Sequence, residues 1–333
     1  MEISVIIVSV AALLLLAVVL RQSGVWRRVR VSRGDSTKVQ LEDALKHIYD
    51  CEYNNVACTL ESVAGALSFT PDNGAEVISR LSALKLIIHH GREVRLTEAG
   101  RDYALRVIRV HRLWERYLAD ETAVRELDWH TDADKKEHLL TPEETGVLAK
   151  RLGHPPFDPH GDPIPTDAGI IPVLRGKPLH EFQEGDVLRV IHVEDEPAAV
   201  YAQLVEKKVF PGIAAKVVKR SDEGMELETE GRIVFLSTVA STNVRAVALD
   251  QPEMLSAARR NLLSLQSGET GKVLGISGTC RGAQRRRLLD LGIVPGTNVA
   301  VEMASAAGDP IAYNIRGAMI ALRKQQAEMI FIE

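Results

Sequence analysis

The fold is decided by residues 59–96, which read TLESVAGALSFTPDNGAEVISRLSALKLIIHHGREVRL. Two short helices are predicted here, because Thr59 suits a helix N-terminus and Pro71 occupies the early position that a helix tolerates. Gly91 separates two short β-prone runs and therefore indicates a hairpin. Since a further apolar, helix-like segment precedes these elements, their order predicts a winged helix-turn-helix domain over residues 39–100.

Downstream of this domain, imidazole and carboxylate side chains recur at helical spacing. Residues three or four apart lie on one helix face, so two facing helices can present several donors to metal ions. A single His-x-x-x-Glu pair is usually a solvated ion pair, but six donors within 28 residues favour a two-metal site. The two runs are His111-x-x-x-Glu115 and His130-x-x-x-Asp134-x-x-Glu137-His138.

Composition limits the remaining possibilities. The 333 residues are 45% hydrophobic and 26% charged, which is typical of globular protein. The net charge is only −4, so any binding of DNA must depend on local basic patches. The three cysteines, Cys51, Cys58 and Cys280, form no C-x-x-C pair, which argues against a zinc ribbon or a disulfide framework and favours a reducing compartment.

The N-terminus departs from globular composition. Residues 3–20 contain no charged side chain, and as a helix they would span about 27 Å, close to the thickness of a hydrocarbon core. A cleaved signal peptide is disfavoured because Glu2, rather than a basic residue, precedes the segment. Five arginines follow it, so the positive-inside rule predicts a single-pass anchor in the inner membrane with the body in the cytoplasm. These are Arg21, Arg27, Arg28, Arg30 and Arg33.

The C-terminal half contains an internal repeat. Pro211-Gly212 and Pro295-Gly296 lie 84 residues apart, and alternating strands surround both, which predicts two small barrels. The connector before them, residues 153–165, is so rich in Pro and Gly that we interpret His154 and His160 as loop residues rather than ligands. The predicted order is an anchor (1–22), a basic linker (23–38), the winged helix-turn-helix (39–100), a helical metal-binding and dimerisation domain (101–170), and two barrels (177–250 and 260–333).

These segments resemble a known family. From Leu41 to Pro165 the chain is similar to the diphtheria-toxin-repressor (DtxR) class of metal-dependent regulators, and Val273–Glu333 resembles the FeoA-type SH3-like domain of ferrous-iron transport. The first barrel looks like a looser version of that domain. The motifs are Glu42-Asp-Ala-Leu-Lys-His-Ile-Tyr49, Val94-Arg-Leu-Thr-Glu-Ala-Gly100, Val110-His-Arg-Leu-Trp-Glu-Arg-Tyr117 and Glu137-His138, then Arg285-Arg-Arg-Leu-Leu-Asp-Leu-Gly-Ile-Val-Pro-Gly296.

The resemblance implies a fold and two metal sites. The predicted fold class is multidomain α+β, with a winged helix-turn-helix, a helical metal-binding domain and two SH3-like β-barrels, and with the N-terminal transmembrane helix predicted from residues 3–20. The implied cofactor is Mn²⁺ or Fe²⁺, with Mn²⁺ favoured because carboxylates replace the sulfur ligands of iron-responsive members at two positions. The implied ligands are Asp43, Asp134, Glu137 and His138 in the primary site, and His111, Glu115 and His130 in the ancillary site, with Glu194 or Glu196 from the first barrel.

The resemblance also implies a surface that contacts double-stranded DNA. Its recognition helix would present Thr70, Pro71, Asp72 and Glu76, with Arg80, Lys85, Arg92 and Arg95 available to hold phosphates. Two carboxylates facing DNA oppose binding, although a carboxylate can accept from cytosine N4. A recognition helix that no longer reads DNA is therefore an open alternative.

Together these features predict a membrane-anchored, metal-dependent transcriptional regulator in which metal orders a homodimer for DNA binding. The alternative is a membrane-tethered accessory or adaptor of a metal-transport system that does not bind DNA. A metal-dependent hydrolase ranks third, because the sequence contains no G-x-S-x-G, H-E-x-x-H or P-loop motif. We therefore expect no catalytic residues.

Overall fold

A computed structural model describes residues 25–229, 231–249, 260–277 and 280–333. The chain divides into two compact units, with the boundary between Ile108 and Arg109. Helix α4, Glu98–Glu121, contains this boundary.

The first unit has the predicted winged helix-turn-helix order. Helix α3 (Pro71–Ala83) begins with proline directly after its N-cap, and the Thr70 hydroxyl accepts a hydrogen bond from the Asn73 amide. At the start of α2 (Leu60–Ala66), the Thr59 hydroxyl likewise accepts from the Ser62 amide. The hairpin turns at Gly91, where φ is +65°. Its elements are α1 (Val25–Tyr53), α2 (Leu60–Ala66), α3 (Pro71–Ala83), β1 (Ile87–His90) and β2 (Glu93–Leu96), which pairs antiparallel with β1.

Helix α1 begins at Val25, whereas residues 23–38 are predicted above as a linker. The structure gives this stretch helical backbone from Val25 onward. Val and Arg are acceptable helix residues, and a single Gly34 costs only about 1 kcal/mol relative to alanine, so the stretch contains no strong helix breaker. Helices α2 and α3 approach closely at Gly74, where an added Cβ would lie 2.9 Å from Ala64 Cβ.

The helical part of the second unit consists of α4 together with α5 (Trp129–Glu137) and α6 (Pro142–Arg151). Trp129 anchors the start of α5, since its ring is buried beside Leu118 and its indole N–H donates to the Val124 carbonyl. Helix α6 begins with a capping box formed by Thr141 and Glu144. The contact between Trp129 and Leu118 holds the start of α5 against the C-terminal part of α4.

Two β-rich domains follow, each an antiparallel sheet with its own hydrophobic core. The first sheet has the order β3-β8-β4-β5-β6-β7 and the second β12-β11-β10-β9-β13. The strands are β3 (Lys177–Pro178), β4 (Val187–Val193), β5 (Ala214–Ser221), β6 (Gly224–Thr229), β7 (Arg232–Ser237), β8 (Val244–Ala248), β9 (Thr270–Ile276), β10 (Asn298–Ala304), β11 (Ile311–Ile315), β12 (Ala318–Leu322) and β13 (Ile330–Ile332). The helices are α7 (Ala198–Glu206), α8 (Thr238–Thr242), α9 (Gly282–Asp290) and α10 (Lys324–Glu328).

The internal repeat is visible in matching backbone contacts. Gly212 N–H donates to Val190 O of β4 at 2.7 Å, and Gly296 N–H donates to Val273 O of β9 at 2.8 Å. Both glycines have positive φ and follow the Pro residue of the repeated Pro-Gly pair. The repeated dipeptide therefore marks the same helix-to-strand turn in both domains.

The predicted fold class is corrected in one element. Within residues 25–229, 231–249, 260–277 and 280–333, no helix is long and apolar enough to cross a membrane. The structure supports a multidomain α+β fold with a β-rich C-terminal region, and the prediction of a transmembrane helix with localisation at the inner membrane is contradicted. The segment to which it was assigned, residues 3–20, lies outside the described residues.

Candidate metal centre

The candidate site lies where α5 packs along α4. His111 and Glu115 occupy successive turns of α4, and His130 and Asp134 occupy successive turns of α5, so each pair lies on one helix face. The rings of His111 and His130 meet edge to face, with their centroids 4.9 Å apart. The predicted helical spacing thus brings donors from both helices together.

One group of donors surrounds His111. Its Nδ1 lies 2.6 Å from Glu137 Oε2 and 3.4 Å from Asp134 Oδ1, while its Nε2 lies 3.2 Å from Glu115 Oε1. His138 follows directly, with Nε2 3.4 Å from Glu137 Oε1. Because His111, Glu115, Glu137 and His138 are all buried, their charges are poorly screened by water.

A second group surrounds His130. Its Nδ1 lies 3.5 Å from Glu115 Oε1 and 2.8 Å from Asp195 Oδ2, and its Nε2 lies 3.6 Å from Asp134 Oδ2. Asp195 comes from the loop that follows β4 of the first β-rich domain. This loop therefore supplies a carboxylate to the donors on α4 and α5.

The carboxylate that this loop supplies belongs to Asp195, whereas the sequence predicts Glu194 or Glu196. Glu194 and Glu196 are both exposed, and Glu196 Oε1 lies 3.9 Å from His130 Nε2. The Asp195 carboxylate is closer and more buried. The sequence alone does not distinguish neighbouring carboxylates in a loop, because the direction of the backbone decides which one faces the site.

His160 also joins this group, although we interpreted it as a loop residue. Its ring is buried, with Nδ1 3.6 Å from Glu115 Oε2 and 3.8 Å from Asp195 Oδ2. His154, by contrast, is exposed. The sequence offered no helical or strand spacing that could have distinguished these two histidines.

An ordered turn places His160. Asp158 Oδ1 accepts backbone N–H groups from His160, Gly161 and Asp162, each at 2.8–2.9 Å. The His160 carbonyl accepts from Val193 N–H at the end of β4. Gly161 has φ +96°, and an added Cβ would lie 2.1 Å from the Ile191 carbonyl oxygen, so only glycine fits there.

Arginines on α4 hold the same connector. Arg112 donates to the Pro163 carbonyl at 2.6 Å, and buried Arg109 donates to the Pro165 carbonyl and pairs with Asp167 at 2.8 Å. Both arginines thus fix the connector on the helix that carries His111 and Glu115. The position of His160 relative to those donors follows from these contacts.

The mutual proximity of these groups shifts their pKa values. Burial alone would raise the pKa of Glu115, but the charges of His111 and His160 hold it well below its ordinary value. Asp195 and Glu115 raise the pKa of His130 to about 11. Burial alone would lower the pKa of His160, yet the nearby Glu115 carboxylate raises it to about 10. Without a metal, the protons on His130 and His160 therefore balance the negative charge of the nearby carboxylates.

The polar atoms at this site are not satisfied by protein alone. Buried atoms without a hydrogen-bond partner among the described residues include Glu115 Oε1, His130 Nδ1 and both ring nitrogens of His160. His130 Nδ1 is close to Asp195 but not along a hydrogen-bonding direction. Buried polar atoms of this kind require a partner. A divalent cation fits, since the donors are imidazole and carboxylate without thiol, a set that suits Mn²⁺ and Fe²⁺.

Asp43, the remaining predicted primary ligand, lies on α1 in the first unit and is half-buried. Asp134, Glu137 and His138 belong to the second unit. The assignment of Asp43 to the primary site stays a prediction.

The residues predicted to contact DNA all lie in the first unit and are all exposed. Two of the basic side chains have acidic neighbours: Arg80 pairs with Glu76 one turn earlier on α3, and Arg95 pairs with Glu93 on β2 at 3.0 Å. The local charge of this surface is therefore less positive than its count of arginines suggests.

Comparisons with known proteins agree with this arrangement. A family model described as the iron dependent repressor, metal binding and dimerisation domain matches residues 97–166, and a FeoA domain model matches residues 260–333. The iron-dependent repressor IdeR of Mycobacterium tuberculosis (strain ATCC 25618 / H37Rv) is 34% identical over 210 residues, covering 56% of this chain and 91% of that protein. By name these relatives are repressors rather than enzymes.

Two further relatives extend the comparison. The diphtheria toxin repressor of Corynebacterium diphtheriae is 30% identical over 122 residues, covering 36% of this chain and 54% of that protein. A solved structure of a manganese-dependent transcriptional repressor in complex with manganese is similar with a TM-score of 0.57 and 25% identity, covering 62% of this chain and 99% of that chain. The iron and manganese dependence of such relatives confirms the class of metal predicted from the sequence.

Proposed function

This chain belongs to the diphtheria-toxin-repressor family of iron-dependent repressors, and on that premise we propose that it is a metal-dependent transcriptional regulator. The observation that supports this best is the buried set of imidazoles and carboxylates on α4 and α5, with polar atoms that find no hydrogen-bond partner among the described residues. The regulator binds Mn²⁺ or Fe²⁺ there and contacts DNA through the exposed face of α3 and the β1–β2 wing.

We favour Mn²⁺ as the regulatory metal. Every donor in the α4–α5 cluster is oxygen or nitrogen, and Asp134 occupies a position where iron-responsive members of the family place sulfur. Oxygen-rich coordination suits Mn²⁺, although metal supply also decides occupancy. In this proposal Asp134, Glu137 and His138 belong to the primary site, to which the family resemblance also assigns Asp43. His111, Glu115 and His130 form the ancillary site with Asp195, and His160 lies beside them.

Metal acts through linkage in this proposal. Without metal, the carboxylates of the primary site repel one another or take up protons, and neither state fixes the helices. A cation that binds only the ordered arrangement stabilises it. We further propose that the ordered form is a homodimer whose two winged helix-turn-helix domains match two operator half-sites. The FeoA-like domains then stabilise the dimer or dock a partner.

The acidic residues of α3 determine how this protein would bind DNA. Glu76 pairs with Arg80 on the exposed face, and Asp72 lies in the first turn of the helix. If these carboxylates only repel phosphates, removing them should strengthen binding to all sequences equally. If they accept from cytosine N4, removing them should abolish discrimination at particular positions.

The experiment that tests the proposal is a titration of the full Mn²⁺-saturated chain against a random-sequence pool of duplexes at low salt, followed by sequencing of the retained DNA. The parent is compared with Asp72→Asn/Glu76→Gln. The matched control is Asp222→Asn/Glu223→Gln, which removes the same charges from an exposed turn of the first β-rich domain. We expect retention of specific duplexes by the parent and the control.

Failure of both the parent and the α3 variant to retain any duplex would contradict DNA binding. Such a result would favour a metal-responsive protein that does not read DNA.

A further inference from the structure

A second group of metal-type ligands lies in the first unit, within the winged helix-turn-helix domain. His47 and Cys51 are one helical turn apart on α1, and Cys58 directly precedes Thr59, the N-cap of α2. His47 Nε2 lies 3.5 Å from Cys51 Sγ, and one ligand atom from each of the three residues lies within 4.8 Å of the others. Ser62 completes the group, with its hydroxyl 2.6 Å from His47 Nε2.

The spacing of these atoms is close to that of a tetrahedral metal site. With Zn–S of about 2.3 Å and Zn–N of about 2.0 Å, neighbouring ligand atoms lie about 3.5 Å apart. His47 and Cys51 already have that separation, and Cys58 needs a movement of only about 1 Å. Both cysteines are buried, whereas His47 and Ser62 are half-buried, so a cation can enter from the side of the imidazole.

A reactive redox pair explains this cluster poorly. Burial, with Cys51 as a further cause, raises the pKa of the Cys58 thiol to about 12. A thiol that stays protonated at neutral pH is a weak nucleophile for disulfide exchange. A bound metal cation displaces the thiol proton, so the same sulfur can act as a ligand once a cation is present.

We propose that His47, Cys51 and Cys58 form a thiolate–imidazole site for Zn²⁺, separate from the carboxylate–imidazole cluster on α4 and α5. Two thiolates and one imidazole suit Zn²⁺ and disfavour Mn²⁺, and the fourth position is filled by the Ser62 hydroxyl or by water. The C-x₆-C spacing does not match the C-x-x-C pattern by which zinc sites are predicted from a sequence. The ligands come together only through the packing of α1 against the start of α2.

The position of the site gives it a structural consequence. The Cys58 carbonyl accepts from Val94 N–H of β2, and Thr59 forms a β-bridge with Glu93 of the same strand. A cation on Cys58 therefore ties the end of α1 to the segment that holds the wing. Zn²⁺ should stabilise this domain without occupying the regulatory metal site.

The test is a Co²⁺ titration of the full, reduced chain, with Co²⁺ as the spectroscopic substitute for Zn²⁺. Sulfur ligation gives a near-ultraviolet sulfur-to-cobalt charge-transfer band, which oxygen and nitrogen ligands on α4 and α5 cannot produce. We expect one equivalent of Co²⁺ to generate the band, Zn²⁺ to abolish it, and Cys51→Ser and Cys58→Ser each to weaken or remove it. Cys280→Ser, which removes the third buried cysteine from another domain, is the matched control and should retain the band.

The variant Asp134→Ala/His138→Ala separates this proposal from the proposed regulatory function, since it should keep the sulfur band while losing affinity for Mn²⁺. The absence of a charge-transfer band in the parent chain, or a band that survives both cysteine substitutions, would overturn the proposal. Should the cysteine variants fail to fold, alkylation of the unaltered chain gives an independent answer. Zn²⁺ must then slow the modification of Cys51 and Cys58 relative to Cys280, and equal rates with and without Zn²⁺ contradict the site.

Discussion

Replacing Asp195 with Asn should weaken Mn²⁺ binding at the ancillary site. Asp195 Oδ2 lies 2.8 Å from His130 Nδ1, and its carboxylate is 17% exposed. Asparagine keeps the size of the side chain and one oxygen, but it removes the negative charge. The loss of Mn²⁺ affinity therefore measures how much that charge contributes to metal binding, with little change in packing.

The expected size follows from the burial of the carboxylate. Removing a partly buried group that holds or orients metal ligands costs about 10- to 100-fold in affinity, or about 1.4–2.7 kcal/mol. Glu196 in the same loop provides the matched control. Its carboxylate is 78% exposed and 3.9 Å from His130, so Glu196→Gln removes a solvated charge worth about 0–1 kcal/mol.

Isothermal titration of the metal-free chain with Mn²⁺ measures both variants against the parent. We expect Asp195→Asn to bind about 10- to 100-fold more weakly at one class of sites, and Glu196→Gln to bind within about fivefold of the parent. An Asp195→Asn affinity indistinguishable from the parent, or an equal loss in the two variants, would refute the assignment of Asp195.

Four further outcomes follow from the same structure. The raised pKa values of His130 (about 11) and His160 (about 10) keep both imidazoles protonated near neutral pH, so Mn²⁺ must displace those protons. The affinity for Mn²⁺ should therefore rise roughly tenfold per pH unit for each displaced proton between pH 6 and 8. Calorimetry in buffers of different pH tests this, and an affinity that does not change with pH would be inconsistent with it. By the same shifts, these two groups should contribute their full stability to the metal-free chain below pH 6.5. That stability should be lost as pH rises through about 10 for His160 and about 11 for His130, which urea unfolding at several pH values measures. Gly161→Ala should lower both thermal stability and Mn²⁺ affinity, because the added Cβ displaces the turn that carries His160, whereas unchanged affinity would show that His160 does not depend on that turn. Thr70→Ala should destabilise the first unit by about 1 kcal/mol through loss of the α3 cap, without altering Mn²⁺ affinity, and chemical denaturation with calorimetry checks both.

Local periodicity allowed much of the fold and site to be predicted. His111 with Glu115, and His130 with Asp134, are one helical turn apart, so their shared faces follow from the sequence as soon as the helices are assigned. The caps at Thr59 and Thr70 and the turn at Gly91 are equally local. The repressor-family and FeoA resemblances are confirmed by the family models and relatives, whereas the transmembrane helix is not.

The missed residues depend on contacts between distant parts of the chain. His160 reaches the cluster because Asp158 shapes its turn and the Val193 N–H of β4 donates to the His160 carbonyl. No regular spacing in the sequence indicates either contact. Asp195 is not predicted because the direction of its loop depends on the same contact between β4 and the turn that carries His160. Cys51 and Cys58 were dismissed for lack of a C-x-x-C pair, although the turn between α1 and α2 brings them together.

The most direct test of metal-dependent DNA recognition is the affinity of the full chain for a duplex selected from the random pool, measured by fluorescence anisotropy with saturating Mn²⁺ and with a chelator. Coupling between the metal and DNA sites predicts that Mn²⁺ strengthens binding by about 5- to 150-fold. The variant Asp134→Ala/His138→Ala should bind equally weakly under both conditions. Equal affinity of the parent with and without Mn²⁺, or a full response to Mn²⁺ in the variant, would contradict control of DNA binding by the α4–α5 metal centre.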